Sequence, residues 1–489
     1  MPVLKLWQTG VCREISFTGD PLLASLLVEY GYEKPHPCAG RGICGKCAVR
    51  AAGALSAPTE AEKRAGSRLS CQTRLLGDAE VWLPEEKSTV ELSGGSAGLG
   101  RAMEGRIGAA VDLGTTTIAL KLYDLKTGEE LAAAGAMNPQ RSIAADVMGR
   151  IGAAMGGLGA MLQSMAADTI RALLARTGES GADAMVVTGN TTMLYLLTGR
   201  DPGCLSAAPF LADCLFGRAG ELLGMPVYYP PCMNAFVGAD ITCAVLASGM
   251  HTKQETALLM DIGTNGEIAL WKDGTLHVTS TAAGPAFEGA GITHGCGSIP
   301  GAIDRVWVED GAIRIHTIEE KEPVGICGSG IIDAVAAFLE TEDIDETGAA
   351  EEDFLPLSGT IGLTPADIRA VQLAKGAMAA GVKTLLETAG VPDEEIGTLY
   401  IAGGFGSHLN VGSAAAIGLI PPALQDRVVI LGNAALSGAA SLLLDRDLVP
   451  QAEALARTAR HINLGGNSRF NEHFIDAMLF EVEYPDQEV

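Results

Sequence analysis

The chain lacks any apolar run long enough to cross a bilayer. Two uncharged stretches, Ile151–Ala167 and Val428–Leu444, are 17 residues each and contain Gly and polar side chains. Both read as buried or surface helices rather than spans. The N-terminus, Met1-Pro-Val-Leu-Lys-Leu-Trp-Gln, has no signal-peptide apolar core. Basic residues are scarce: 34 Lys and Arg stand against 59 Asp and Glu, a net charge of −25. A chain this acidic repels nucleic acid and anionic membranes, and neither is expected as a partner. The 11 cysteines are an odd number in a long chain, which argues against a secreted disulfide framework. A soluble, cytoplasmic protein of a reducing compartment is expected. There is no P-loop, no G-x-G-x-x-G between a strand and a helix, and no H-x3-H pair.

Glycine is abundant, 62 of 489 residues, nearly twice the usual share of about 7%. Without a G-X-Y period, the excess belongs to tight turns and to backbone that approaches ligands closely. The length predicts roughly two to four domains, and charge marks one boundary. Residues 1–90 hold 11 basic and 10 acidic side chains, leaving 23 and 49 for the remainder. Residues 91–105, with Ser93-Gly-Gly-Ser-Ala-Gly-Leu-Gly100, read as a flexible linker and hinge. Residues 106–489 then form the large module.

In residues 1–90, strands are expected at Val3–Trp7, Arg13–Phe17, Leu69–Thr73 and Glu80–Leu83. A helix is expected to open at Asp20-Pro21 and close at Gly31, with Leu22, Leu23, Leu26 and Leu27 as its apolar stripe. Thr59–Glu62 is a capping box for a second helix. Between them stand Cys38, Cys44, Cys47 and Cys71, spaced C-x5-C-x2-C-x23-C, with Gly40, Gly42 and Gly45 in the first loop. Three thiolates in one curled loop and a fourth from elsewhere suit a [2Fe–2S] cluster. Zinc is the rival, though a zinc ribbon wants two C-x2-C pairs; unligated thiols are the plain alternative. The segment resembles a plant- or adrenodoxin-type ferredoxin of the β-grasp fold, with a loop one residue longer than the plant form.

The large module contains a duplication. Gly108-Ala-Ala-Val-Asp112-Leu-Gly114-Thr115-Thr116 recurs 149 residues later as Leu258-Leu-Met-Asp261-Ile-Gly263-Thr264-Asn265-Gly266-Glu267. Each copy reads as strand, turn and strand, then a tight turn and a third strand. Two similar α/β subdomains, roughly 106–250 and 251–489, should face each other. An Asp at a strand end can hold Mg²⁺ through water, and the adjacent Gly and Thr bring N–H and O–H donors to phosphate. Cys327-Gly328-Ser329-Gly330 opens a helix, a natural anion site. Gly403-Gly404-Phe405-Gly406 ends an apolar strand in a turn able to lie flat on a purine or ribose. Phe236–Gly249 and Leu431–Ala440 are small-residue helices suited to close packing between the subdomains. In this order the motifs resemble the acetate/sugar kinase, heat-shock chaperone and actin superfamily. The fold class expected is therefore α/β and multi-domain: a β-grasp ferredoxin followed by a duplicated actin-like ATPase.

The combination resembles the reductive activators of corrinoid proteins, and Ala283-Gly-Pro-Ala-Phe-Glu-Gly289-Ala-Gly291 is typical of their ATPase domain. Larger members carry an extra domain between ferredoxin and ATPase. The resemblance implies one-electron return of a stalled Co(II) corrinoid to Co(I), with ATP and Mg²⁺. It implies a corrinoid protein of a methyltransferase system as partner, a low-potential electron donor, and a homodimer. Asp112 and Asp261 would serve Mg²⁺; Gly114, Thr115, Thr116, Gly263, Thr264 and Asn265 would hold phosphates; Gly403–Gly406 would cradle adenosine. Asp240 is the candidate to position the attacking water, or else it caps a helix. The loop Gly284–Pro300, with Glu288, His294, Cys296 and Ser298, would face the corrinoid or form a structural turn. No D-x-H-x-x-G occurs, so the chain is not expected to carry the corrinoid itself. The remaining cysteines read as buried thiols, and His408 as a surface or packing residue. Three other functions stay open: an activator of the 2-hydroxyacyl-CoA dehydratase type, a nucleotide and redox sensor, and a small-molecule kinase.

Overall fold

The structure, a computed structural model, describes residues 1–8, 11–30, 47–83, 90–94, 98–179, 181–404 and 408–480. It divides into two compact units: Met1–Lys87 with Arg141–Ala144, and Ser88–Gln140 with Ala145–Val489.

The first unit is built on a five-stranded sheet in the spatial order Val11–Ser16, Val3–Gln8, Leu75–Trp82, Ala48–Leu55, Arg68–Leu69. Val3–Gln8 runs antiparallel to Val11–Ser16 and parallel to Leu75–Trp82. Alternation along the strands turns Leu4, Leu6, Ile15, Val49, Leu75 and Val81 to one face, where Leu23, Leu26 and Leu27 of the helix Leu23–Glu29 cover them. The helix starts later than expected. Leu22 stands at the N-cap without a side-chain bond. The Pro21 carbonyl is instead taken by the Leu75 amide at 3.1 Å, and Leu23 N donates to Thr73 O at 2.8 Å. Pairing with the sheet therefore outcompetes the Asp20-Pro21 start signal. Gly31, expected to close the helix, lies outside the described residues. The strand Ala48–Leu55 was not anticipated, because Ala and Gly carry little strand preference.

The capping box at Thr59 forms, opening the helix Glu60–Ala65. Its Glu62 is buried and also accepts from Thr73 Oγ1 at 2.6 Å, Leu69 N at 3.1 Å and Arg68 at 2.9 Å. Burial pushes this carboxyl up, but hydrogen bonds from Thr73, Thr59, Arg68 and Leu69 outweigh it and hold it at about 2.

The second unit repeats one sheet. Its first copy runs Glu130–Met137, Thr117–Asp124, Ile107–Leu113, Ala184–Gly189, Met225–Pro231, with Phe216–Leu222 at the far edge. The second runs Thr275–Thr281, Gly266–Lys272, Thr256–Ile262, Ile396–Ala402, Val428–Gly432, with Arg460–His461 beside Thr275–Thr281. In both, three antiparallel strands are followed by two parallel ones. The expected duplication is thus a topological repeat.

Two small-residue helices, Ala239–Ser248 and Ala434–Leu444, join the halves into one core with Ala110, Val186, Leu259, Ala269 and Tyr400. They cross so closely that a Cβ on Gly438 would stand 2.0 Å from the Cys243 carbonyl oxygen. Of the uncharged stretches, Ile151–Ala167 lies in a helical run kinked at Gly157. Val428–Leu444 is not one helix: it is the edge strand Val428–Gly432, a break at Gly432 (φ 64°) and Asn433, and then Ala434–Leu444. Among the described residues no helix is long and apolar enough to cross a membrane.

The Gly/Ser-rich segment is not a free linker along its described length. Ser93 O accepts from Asn433 N at 2.9 Å, Gly100 N donates to Leu444 O at 3.1 Å and Met103 N to Leu443 O at 2.9 Å. Val90, Leu92, Ala102 and Met103 pack on the core beneath.

Glu62 Oε1 accepts from Arg68, Leu69 and Thr73 and Oε2 from the Thr59 amide, so replacing either oxygen with an amide N–H sets donor against donor and removes the charge that Arg68 meets. Glu62→Gln is expected to destabilise the first unit by about 2–4 kcal/mol, read as a lower midpoint of its thermal unfolding.

Candidate functional site: a carboxylate cleft and a buried thiol pair

The two hairpins face each other across a cleft of about 1270 Å³, its open mouth included. From the expected set, Asp112, Gly114, Thr115, Thr116, Asp240, Asp261, Gly263, Thr264, Asn265, Gly328, Gly403 and Gly404 all line it. Ser329 and Gly330 do not. Ser329 Oγ donates to the Asp304 carbonyl at 2.9 Å, and Gly330 is pressed against Ile303 O. The helix Gly328–Glu340 therefore meets the cleft with Gly328 alone. Phe405 and Gly406 lie outside the described residues.

Each hairpin turn is aimed by side chains behind it. Asn138 Nδ2 donates to Gly114 O at 2.9 Å, and the buried Arg150 donates to Thr115 O at 2.7 Å. These two bonds fix the carbonyls of the turn. Asn190, the N-cap of Thr191–Leu197, donates to Thr115 Oγ1 at 2.9 Å. Gly403 (φ 117°) lets the strand Ile396–Ala402 turn beside the second hairpin, where a Cβ would stand 2.3 Å from Ile262 O.

Glu288 ties the hairpins together. It accepts from Thr264 N and Thr264 Oγ1, both at 2.9 Å, and from Thr116 Oγ1 at 2.7 Å. These are the donors that a phosphate would take. The loop Gly284–Pro300 thus turns Glu288, Cys296, Gly297 and Ser298 to this cleft, while His294 Nδ1 sits 2.9 Å from Gly362 O.

Asp240 is not the cap of its helix; Gly238 is. Asp240 stands in the first turn and faces Asp112 and Asp261 across the cleft floor. Opposite Asp261 the partner strand carries Glu267, where the first hairpin sets Ala119 opposite Asp112. Glu267 was visible as an acid inside an apolar strand. Glu91, Arg150, Asn190 and Asn433 gave no comparable signal, because their partners are far away in sequence.

The electrostatics are one-sided. Glu91, Asp112, Asp240, Asp261, Glu267 and Glu288 line the cleft, and no described lining residue is Lys or Arg. Burial pushes Asp112 up to about 6, against the Asn433 hydrogen bond. Burial, then Asp112 and Glu288, push Asp261 up to about 7. Burial, then Asp261 and Asp112, push Asp240 up to about 8. Burial, Asp240 and Asp261 also raise Glu267 well above the usual range. A bare polyphosphate would be repelled, whereas a divalent cation relieves the carboxylates and draws the phosphates in. Among the described residues no three such groups converge as direct metal ligands.

In the first unit, the pairing of Ala48 with Leu69 brings Cys47 and Cys71 together. Both are buried, and their sulfurs lie 3.2 Å apart without a disulfide. Two converging thiols of this kind fit an iron–sulfur site. Cys38 and Cys44 lie outside the described residues. Of the other cysteines, Cys232, Cys243 and Cys327 are buried, Cys204, Cys214 and Cys296 are half-buried, and Cys12 is exposed.

Fold and site together define an actin-like ATPase of the ASKHA class joined to a [2Fe–2S] ferredoxin. Comparison with known families agrees: a 2Fe-2S iron-sulfur cluster binding domain matches residues 9–76, the RACo middle region 107–253, and the C-terminal ASKHA domain of RACo 255–487. The chain belongs to the family of RACo-type reductive activators of corrinoid proteins. It is 32% identical over 419 residues to the corrinoid activation enzyme RamQ of Eubacterium limosum, covering 76% of this chain and 70% of that protein. It is 26% identical over 412 residues to the Co(II) methylated amine-specific corrinoid protein reductase of Methanosarcina barkeri, covering 75% and 76%. A solved reductive activator for a corrinoid, iron-sulfur protein superposes with a TM-score of 0.71 at 26% identity, covering 98% of each chain. The cofactors follow from the family: a [2Fe–2S] cluster, ATP and Mg²⁺.

The raised carboxyls make stability pH-dependent. The unfolded chain releases their protons near about pH 4, whereas the folded protein keeps them until about 6 to 8. Folding therefore weakens as pH rises through that window. Melting without nucleotide is expected to shift downward from about pH 5.5 to about pH 8.5. Asp240→Asn should raise Tm by roughly a few degrees at the upper end.

Proposed function

We propose that this protein is an ATP-dependent reductive activator. It returns the Co(II) corrinoid of a methyltransferase system's corrinoid protein to Co(I) with one electron from its [2Fe–2S] cluster, and it is recharged by a low-potential donor. The observation that carries this reading is the union, in one chain of this family, of a buried ferredoxin-type thiol pair and a duplicated carboxylate cleft. Cys38, Cys44, Cys47 and Cys71 would hold the cluster. When bound, the cluster supplies single electrons near about −400 mV.

Energetics explain why such a chain needs an ATPase. For a one-electron couple every 59 mV costs roughly 1.4 kcal/mol, so an uphill gap of a few hundred mV costs several. Selective binding of the Co(II) state narrows the gap but creates a tight complex, and a second ligand can release it only through its differential affinity. In this reading Asp112 and Asp261 orient Mg²⁺ through water. The hydroxyls of Thr115, Thr116 and Thr264, Asn265, and the amides at Gly114 and Gly263 bind phosphates. Gly403 and Gly404 give adenosine a flat seat. Asp240, in the first turn of the helix Ala239–Ser248, positions the attacking water.

An activator of the dehydratase type holds its cluster with cysteines inside the ATPase fold. Here the paired thiols Cys47 and Cys71 belong to the separate first unit. A small-molecule kinase leaves those thiols without a task. A cytoplasmic homodimer belongs to the same reading, and sedimentation measures its oligomeric part.

The test is anaerobic. Pre-reduced protein is mixed with Co(II) corrinoid proteins, and Co(I) absorbance is followed with and without Mg–ATP. Co(I) is expected only with ATP, and neither Cys71→Ser nor Asp261→Ala should produce it. A reducible cluster and ATP turnover without Co(I) from any corrinoid partner would refute the proposal. Glu288→Ala removes a carboxylate already seated on phosphate donors. It is expected to tighten Mg–nucleotide binding roughly two- to tenfold by calorimetry; weaker binding would instead assign Glu288 to holding the cation.

A further inference from the structure

Residues 90–94 follow the ferredoxin unit in sequence, and one of them, Glu91, reaches the wall of the cleft. Glu91 lines it beside Asp112, Asn433, Ala434 and Ala435. The ATPase surface is shaped for this segment. A Cβ on Gly432 would stand 2.6 Å from the Ser93 carbonyl oxygen, and one on Gly135 2.4 Å from Val90 Cβ. Asn433 N donates to Ser93 O at 2.9 Å, and Ser93 N donates to the Glu91 carboxylate at 2.7 Å.

The Asn433 side chain connects this segment to the chemistry. Its Oδ1 accepts from Leu436 N at 2.8 Å as the cap of the helix Ala434–Leu444, which settles which end of the amide carries hydrogens. The Nδ2 is then shared between Asp112 Oδ2 at 2.9 Å and the Glu91 carbonyl at 3.4 Å. One donor group thus touches both a carboxylate of the cleft floor and the chain leading back to the ferredoxin.

We propose that Asn433 is a positioning residue that reads nucleotide occupancy at Asp112 and sets the hold on residues 90–94. Mg–nucleotide engages the Asp112 carboxylate and draws it from Nδ2. The triphosphate also stands against the Glu91 carboxylate. With its shorter anchor gone, the Asn433 amide swings off the long 3.4 Å contact to the Glu91 carbonyl, and together with repulsion at the Glu91 carboxylate this loosens the segment and adds it to the covalent connection of the ferredoxin unit. Nucleotide state thereby governs how far the electron carrier can travel. The inference rests on the cleft being the nucleotide site, as read above.

Hydrogen–deuterium exchange on the full chain tests it, with the Mg²⁺ complex of a non-hydrolysable ATP analogue as probe and calorimetry to establish saturation. Amides of residues 91–94 and of Asn433 are expected to exchange roughly two- to tenfold faster with the probe bound. Asn433→Ser keeps a capping oxygen for the helix but is too short to reach Asp112. It should show most of the fast exchange without nucleotide and a clearly smaller further response than the parent, while amides within Ala434–Leu444 keep their protection. Unchanged exchange in 91–94 at saturation, or a serine variant that responds like the parent, overturns the inference and leaves the activator reading intact. Failure of the probe to bind at all overturns both.

Discussion

The close crossing of the helices Ala239–Ser248 and Ala434–Leu444 is the contact on which the ATPase unit depends. The missing Cβ of Gly438 lets one helix lie on the Cys243 carbonyl of the other, and the two sheets share one core around that point. Asp240 stands in the first turn of the first helix and Asn433 caps the second. Both face the aspartates at the hairpin strand ends. The helix N-termini add favourable potential for anionic groups, yet burial and mutual repulsion dominate and leave the carboxyls unusually basic. The site is thus held in an electrostatically costly state by packing around it, the usual relation between a stable frame and an active centre.

Much of this was legible in the sequence because it is local. The Thr59 capping box, the D-x-G-T turns and the glycine turn at Gly403 depend on residues a few positions apart. The duplication was legible because it repeats. What stayed hidden depends on distance along the chain: Asn433 reaches Asp112, Arg150 reaches Thr115, and Glu288 reaches Thr116. None of these pairs has a spacing rule. The late helix start at Leu23 has the same cause, since a strand some fifty residues away takes the Pro21 carbonyl. The segment Val428–Leu444 misled because apolar composition does not distinguish a strand followed by a helix from one helix; the signal lay in Gly432-Asn433.

Composition also misled in the Gly/Ser-rich segment. Such residues make flexible linkers in isolation, but their small side chains also suit chain lying tightly on another surface. Here Gly94 lies against Ser437, and Val90 fills the space that Gly135 leaves open. The same residue types serve either purpose, and the surface they meet decides between them.

The two hairpins are alike in backbone but not in charge. Glu267 stands opposite Asp261, whereas Ala119 stands opposite Asp112. A clamp with true twofold symmetry would accept a linear chain of phosphates in either direction at equal free energy. An extra acid on one jaw breaks that degeneracy, so the ligand has a head and a tail before any base or sugar is recognised. After duplication, an acidic residue gained or kept on one strand thus helps turn a symmetric cradle into a directional one.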